Sequence, residues 1–410
     1  MFEKLSDYFD GAVGKYLTAV DADPKKSNQH EIGGLIKAGF GQHLGLPKDG
    51  EALLFKTTMI YISDEDAEPI SCDMTSTWYD TRFNDPTRGA EFRLYYQTNT
   101  VSTLMAEGDF FLIIKKKDGS LIMVITPSSS SVEQQLAALF SITITQNGFA
   151  KAKINQQQIV LPIRMLFESI GIEIEEPESR SQDLLALLLD HFPAGFPKAK
   201  EFSQLARDLI PGDPHNEPDT TLMLWLEQEE KLFRTYERFE VAKKLQSGFG
   251  EERNDVDDFI QFSLSVQNRR KARVGFAFEN HLNKIFTLHN LNFEQGSSKL
   301  TTENKAKPDF LFPSFSAYHD ISFPVENLRL LGAKTTCKDR WRQVLAEGDR
   351  VIKKHLVTIQ AGISESQLSE MKNKSLQLVV PSSVQVSYPS AHIPDLQNLR
   401  DFILEIKSCQ

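Results

Sequence analysis

Apolar residues fall into two regimes along the chain. Up to about residue 165 they come in short runs rich in β-branched and aromatic side chains: LLFKTTMIYI (53–62), FRLYY (92–96), DFFLIIKK (109–116) and SLIMVIT (120–126). Such runs, separated by turn residues, predict strands. KKDGS (116–120) carries the Asp-Gly signal of a hairpin. QQIVLPIRML (157–166) predicts one more strand, and a compact barrel or pseudobarrel is the expected outcome. Near residue 170 the pattern changes. EIEEPESRSQ (173–182) is acidic and polar with a proline, and reads as a linker.

From there to about residue 290 the apolar positions recur at helical spacing. SQDLLALLLDHF, KEFSQLARDLI, TTLMLWLEQEEKLFRTYERFEVAKKL, VDDFIQFSLSVQ and the stretch from Lys271 to His289 are the expected helices. PGDPHNEP (211–218) is a loop, and GFG (248–250) ends a helix on glycine. Beyond residue 305 strands and helices alternate: PDFLF, NLRLLGAKTT, a helix over DRWRQVLAEGDRVIKKHL, LVTIQ, a helix over SESQLSEMKN, LQLVVP, and a last helix near 394–407. That order predicts an α/β sandwich on a mixed sheet. The expected organisation is an α+β chain of two domains: a β-domain over 1–170, a linker over 171–184 and an α/β/α domain over 185–410.

Composition narrows the class. At 410 residues there is ample core for two domains, and 40% hydrophobic with 25% charged residues is ordinary for a globular chain. Cys72, Cys337 and Cys409 show no CxxC spacing, which argues against a disulfide framework or zinc knuckle and fits a reducing cytoplasm. The opening MFEKLSDYFDGAV is acidic and amphipathic, unlike a signal peptide, and no apolar run reaches membrane-spanning length. The net charge of −10 does not exclude a nucleic-acid partner, because a local basic cleft can supply the phosphate contacts.

The chemistry concentrates in the C-terminal half. Hydrolysing a phosphodiester calls for a divalent ion held by carboxylates, an attacking water and a positive group near the phosphate; hard oxygen ligands suit magnesium. A recurring solution places Pro-Asp on one strand and a lysine on the next. Here Pro308-Asp309 opens DFLF, and Lys334 ends LRLLGAK about 25 residues later. The usual companion acid, two residues before the lysine, is replaced by Gly332. Glu347 is the candidate substitute: Val344, Glu347, Val351 and His355 follow spacings of three and four on the expected helix, and apolar neighbours turn that face inward. An inward carboxylate needs a cation or a proton. Glu279 repeats the argument with Gly275, Leu282 and Phe286. Pro-Asp with a distant lysine is also common as a turn proline, a capping aspartate and a solvated lysine. Between lysine and glutamate, Thr335-Thr336 can cap a helix whose first turn holds Cys337, Lys338, Asp339 and Arg340. Such an end can enter the major groove, Lys and Arg donating to guanine and Asp accepting from cytosine. Alternatively it is a charged helix start, with Arg340 paired to Asp339 or Glu347.

The sequence resembles the EcoRII family of type II restriction endonucleases, most closely from Val266 to Pro381. SVQNRRKARVG (265–275), KPDFLFPSFSAYHD (307–320), FPVENLRLLGAKTTCKDRWRQVLAE (323–347) and LVVPSS (378–383) carry the resemblance. It implies a PD-(D/E)XK nuclease fold and magnesium-dependent cleavage of double-stranded DNA at a short site of the CC…GG type, related to CCWGG. It further implies a homodimer with one active site per strand and a cognate DNA methyltransferase in the same system. By the resemblance Asp309 is a metal-binding aspartate, Lys334 the catalytic lysine, Glu347 the displaced acid and Glu279 a further active-site glutamate. Tyr318 lies near that site, and Lys338, Asp339 and Arg340 form the base-reading turn. The N-terminal half is similar to the family's effector domain, a plant B-three-type DNA-binding pseudobarrel, with His30, Tyr79, Arg82, Arg88, Glu91 and Arg93 matching its pattern. Phe92 stands where that pattern has lysine. The resemblance implies that this domain binds an extra copy of the site and occludes the catalytic cleft. A DNA-binding protein without cleavage, or a nuclease acting on modified DNA, are the alternative readings.

Overall fold

The structure is a computed structural model. It describes residues 4–22, 30–66, 68–85, 87–143, 148–154, 160–172, 181–193, 195–337 and 340–410, without the side chains of residues 181, 182 and 304. The chain divides into two compact units. The first comprises Met1–Ile174 with Ala361–Leu368 and Ser387–Pro389; the second comprises Glu175–Gln360, Ser369–Val386 and Ser390–Gln410. Residues 173–180 of the expected linker lie outside the described residues, and from Ser181 the chain is helical.

The first unit is built on one sheet of eight strands: β1 (Phe9–Tyr16), β2 (Glu31–Ile32), β3 (Ala52–Tyr61), β4 (Ile70–Asp80), β5 (Phe92–Tyr95), β6 (Phe110–Lys116), β7 (Leu121–Thr126) and β8 (Ala150–Lys151). They lie in the order β2-β5-β4-β3-β7-β6-β1-β8. All neighbours are antiparallel except β3 and β7. The continuous apolar character of β6 and β7 has a simple cause, because successive side chains of a strand point to opposite faces and here both faces are covered. Phe110, Leu112 and Ile114 enter one core with Phe9, Phe140 and Phe167, while Phe111 and Ile113 enter a second with Trp78, Leu94 and Met123. The Asp118-Gly119 hairpin joins β6 to β7 as expected, closed by Lys116 N–H donating to Ser120 O at 2.9 Å. The strand expected over 157–166 is a helix where it is described: Leu161–Ser169 is helical, with Pro162 in its first turn. There the missing proline N–H costs no hydrogen bond. Its Ile163, Leu166 and Phe167 complete the first core at spacings of three and four.

The second unit opens with a helical layer. Helices Ser181–His191, Ala199–Leu209 and Pro218–Ser247 share a core of Leu188, Phe202, Leu205, Leu232, Phe233 and Tyr236. The two expected helices over 256–267 and 271–289 are one, Val256–Leu288, started by the Asp255 side chain accepting from Asp258 N–H. A four-stranded mixed sheet follows: β9 (Phe310–Phe312), β10 (Arg329–Ala333), β11 (Lys354–Val357) and β12 (Leu376–Val379), ordered β12-β11-β10-β9. β9 runs antiparallel to β10, and β10, β11 and β12 are parallel. Phe286 of the long helix meets Phe310 at 5.2 Å, Phe312 at 5.6 Å and Phe402 of helix Leu399–Cys409 at 6.0 Å. Those contacts cover one sheet face. Trp341 and Val344, both fully buried, belong to the short helix Arg340–Leu345, and Val344 covers Gly332 on the other face. The mixed α+β architecture of the sequence reading is present.

One element differs in a way that matters for chemistry. The helix expected over 339–356 stops at Leu345; a turn follows, and β11 begins at Lys354. Gly348 takes a left-handed φ of 65°, a conformation helix cannot pass through, and a Cβ there would meet Leu330 Cδ1 at 2.8 Å. Val344 and Val351 are buried as their spacing suggested, yet only Val344 is helical.

Candidate functional site

The adjoining ends of β9 and β10 bring Asp309 and Lys334 together. Asp309 stands one residue before the Phe310–Leu331 pair of the antiparallel ladder, and Lys334 one residue past the end of β10, its N–H still donating to Val357 O at 3.0 Å. The Lys334 ammonium donates to Asp309 Oδ2 at 2.7 Å, and the same oxygen accepts from Ala333 N–H at 2.7 Å. A carboxylate so held is fixed in orientation and keeps its other oxygen for a further partner.

Two glutamates feel the charge of this pair. Glu279, from the long helix, is pushed up to about 7 by burial first and then by the negative charge of Asp309, with Lys334 pulling the other way. Glu347 is pushed up to about 7 by the same burial and the same aspartate, opposed by Lys334 and Lys354. Its Oε2 is buried without a hydrogen-bond partner. Both share the field of one aspartate and one lysine, so the four residues form a single electrostatic unit. Gly332 explains why the second acid is displaced. A Cβ at that position would meet Val344 Cγ2 at 2.5 Å, so the place where an acid two residues before the lysine would stand is filled by the covering helix. Glu347 stands in the turn after that helix.

Among the described residues no group of three or more His, Cys, Asp or Glu side chains is already drawn together as a metal site. The donor set nonetheless suits a hard divalent cation: oxygen-only donors, two carboxyls whose pKa burial raises, and one orphaned buried oxygen.

Tyr318 lies elsewhere in the network. Its ring is buried, and its hydroxyl donates to Glu303, 2.5 Å from Oε2; burial, followed by that carboxylate, raises its pKa strongly. It touches the turn after Glu347 rather than the Asp309–Lys334 pair. Glu303 and Lys354 escaped the sequence reading, because no spacing in the chain connects residue 303 or 354 with residue 347. Lys354 donates to Leu345 O at 2.5 Å, and burial pulls its ammonium below the usual lysine range against Asp349, Glu303 and Glu347.

Of the expected base-reading turn, Lys338 and Asp339 lie outside the described residues. Arg340 is exposed and opens its helix. Cys337 is not in the helix's first turn; it precedes the helix and is fully buried, its N–H donating to Gln360 Oε1 at 2.5 Å. The basic run Arg269, Arg270, Lys271 and Arg273 is largely built into the helical layer. Arg270 pairs with Glu237 at 2.6 Å, Arg273 pairs with Glu230, and Arg269 lies over the Phe196 ring at 4.5 Å.

In the first unit, β2, β5 and β4 gather Tyr79, Arg82, Glu91 and Arg93. Tyr79 OH donates to Glu31, Arg93 bridges Glu31 and Glu91 at 2.9 Å each, and Arg82 pairs with Glu91. Glu31, which the sequence reading passed over, is the buried hub. His30 precedes it and meets Thr98 Oγ1 at 2.7 Å, whereas Arg88 stands apart, exposed, at 3.6 Å from Asp85.

Comparison with known proteins bears on the same half as the Asp309 centre. A family model described as EcoRII C terminal matches residues 233–403. The type II restriction enzyme EcoRII of Escherichia coli is 45% identical over 190 residues, which is 46% of this chain and 46% of the relative. The match therefore spans about half the length of that curated relative. Two solved structures are similar at lower level. Metal-depleted Ecl18kI in complex with uncleaved DNA matches with a TM-score of 0.44 and 17% identity, over 56% of this chain and 84% of that one. A complex of the restriction endonuclease PspGI with substrate DNA matches with a TM-score of 0.43 and 17% identity, over 52% and 93%. Through residues 233–403, the segment that contains Glu279, Asp309, Lys334 and Glu347, the chain resembles the EcoRII family.

Proposed function

We propose that the protein is a magnesium-dependent type II restriction endonuclease that hydrolyses both strands of DNA at a short site of the CC…GG type, CCWGG-like, through a PD-(D/E)XK centre. The observation that carries the reading is the Asp309–Lys334 ion pair together with the orphaned buried oxygen of Glu347, in the field of that pair with Glu279. Asp309 and Glu347, with Glu279, would hold the cation. When bound, it would supply Lewis acidity toward the scissile phosphate and lower the pKa of water. Lys334 offsets phosphate charge and orients the attacking water by donating a hydrogen bond. Arg340, with Lys338 and Asp339, reads base edges in the major groove.

The reading extends to the whole protein. A homodimer would offer one centre per strand of a two-fold site, and a methyltransferase of the same specificity would protect the host in the cytoplasm. The first unit is read as a DNA-binding pseudobarrel for an effector copy of the site that holds the catalytic unit inactive, with His30, Tyr79, Arg82, Arg88, Glu91 and Arg93 at the DNA. The sheet's charged cluster around Glu31 supports that placement. Cleavage of unmethylated plasmid DNA with magnesium, ends mapped by sequencing, tests the central claim beside Asp309→Ala. Discrete ends at a CC…GG site, lost in the variant, are expected. Tight binding to such a site without any cut would make the chain a DNA-binding protein instead.

A further inference from the structure

Glu347 belongs to no strand or helix, so no backbone ladder fixes its carboxylate. The turn is fastened from both sides by residues distant in sequence. Before it, Lys354 Nζ donates to Leu345 O, the last carbonyl of helix Arg340–Leu345, at 2.5 Å. Lys354 pairs with Leu330 across the parallel ladder, so it lies on the sheet face that carries Gly332 and Val344. Next to Glu347, a Cβ at Gly348 would meet Leu330 Cδ1 at 2.8 Å and Tyr318 Cε2 at 3.7 Å, so the turn there has room only for glycine. Asp349 N–H donates to Glu303 Oε2 at 3.3 Å, and Arg350 N–H reaches the Tyr318 hydroxyl at 3.4 Å. That hydroxyl donates to Glu303, so one carboxylate holds both the tyrosine and the turn. Arg350 adds bonds to the carbonyls of Tyr318, Asp320 and Phe323, the last two at 2.9 and 3.2 Å.

We infer that Glu303 and Lys354 are positioning residues that hold the Glu347 carboxylate at the Asp309–Lys334 pair, one from each side of the turn. The inference rests on the nuclease reading of that pair. A ligand carried by a turn depends on its outer partners more than one carried by a strand does, and loss of such partners weakens metal binding about 10- to 100-fold. Neither residue is expected to touch DNA or water at the reacting phosphate.

The test uses the full chain with Glu303→Gln, Lys354→Met and Lys354→Arg. Manganese binding without DNA is followed by electron paramagnetic resonance, beside thermal unfolding and the magnesium dependence of cleavage. Glu303→Gln and Lys354→Met should weaken manganese binding and raise the half-saturating magnesium concentration about tenfold or more. Cleavage should recover at high magnesium, DNA affinity in calcium should stay unchanged, and Lys354→Arg should recover much of the loss. Should Glu303→Gln fail to fold, Tyr318→Phe, which deletes only the hydroxyl held by Glu303, carries the same expectation. Folded variants that melt earlier yet bind manganese like the wild type would overturn the inference. A wild-type chain that neither binds manganese nor cuts would instead overturn the nuclease reading beneath it.

Discussion

Glu279 and Glu347 carry a thermodynamic consequence separate from catalysis. Each has a folded-state pKa of about 7, above the ordinary glutamate value. Between the two values each of these groups binds more protons in the folded state than in the unfolded state, so its contribution to stability falls as pH rises through roughly 4.5 to 7 and levels off above. A divalent cation binds the ionised forms, so its stabilisation grows over the same window. Buried His281 and His355, whose pKa burial lowers, contribute with the opposite sign as pH rises toward the ordinary histidine value, so the glutamate contribution is read as a difference between variant and wild type. Between pH 5.5 and pH 8, metal-free Glu347→Gln should hold its melting temperature better than the wild type does, and its magnesium-induced rise at pH 8 should be smaller. A Glu347→Gln variant whose metal-free melting temperature changes with pH just as the wild type's does would contradict the burial argument. Asp309 and Lys334 were legible because they sit at strand ends, where a two-residue motif survives as a sequence pattern. Glu347 was legible as an inward carboxylate for a partly mistaken reason: spacings of three and four marked burial, but the chain turns at Gly348 and reaches the same interior without a helix. Glu303 and Lys354 act through a carboxylate and a carbonyl contact across the fold, which leave no periodic trace.

Elements were readable to the extent that burial and period agreed. β6 and β7 read clearly because two cores cover both faces. β4 was missed because ISCDMTSTWYD is mostly polar and half exposed, and its pairing with β3 is what makes it a strand. Leu161–Ser169 was misread because its β-branched start and Pro162 resemble a strand end more than a capped helix. The long helices Pro218–Ser247 and Val256–Leu288 bear on the basic run that the resemblance drew attention to. Arg273 is buried against Glu230, a carboxylate almost without exposure, and stacks over Phe233 at 4.0 Å. Arg234 reaches the same glutamate at 2.7 Å. Removing one partner of a buried pair leaves an uncompensated charge and costs about 3–5 kcal/mol, whereas an apolar replacement of the whole pair can be neutral. Arg273→Ala should accordingly destabilise the chain by about 3 kcal/mol or somewhat less, since Arg234 remains, as measured by urea unfolding. Its folded fraction should keep wild-type DNA affinity, and a selective loss of DNA binding at unchanged stability would show that this arginine serves DNA binding and not the helical layer.

The whole molecule consists of two units whose apolar clusters are distinct. Met1–Ile174 builds its own pair of cores around one sheet, and the matched segment 233–403 lies entirely beyond it in sequence. The residues proposed for catalysis all belong to the second unit, as does a separate helical core of Leu188, Phe202, Leu232 and Tyr236. Asp309, Lys334, Glu347 and Glu279 all lie beyond residue 175, so removing the first unit takes away none of the side chains proposed for catalysis. If the first unit is an effector that restrains the second, a chain lacking residues 1–180 should cut DNA carrying a single site at least as fast as the full chain. The full chain should be stimulated by a second copy of the site in trans, and the shortened chain should not. The division is not purely sequential, because Ala361–Leu368 and Ser387–Pro389 group with the first unit. The shortened chain is therefore expected to melt at lower temperature even where it cuts faster, and circular dichroism with thermal melting must accompany the kinetics. A folded, cooperative fragment that binds a CC…GG site but has lost all cleavage would reverse the assignment: the first unit would then be required for catalysis and not a restraint on it.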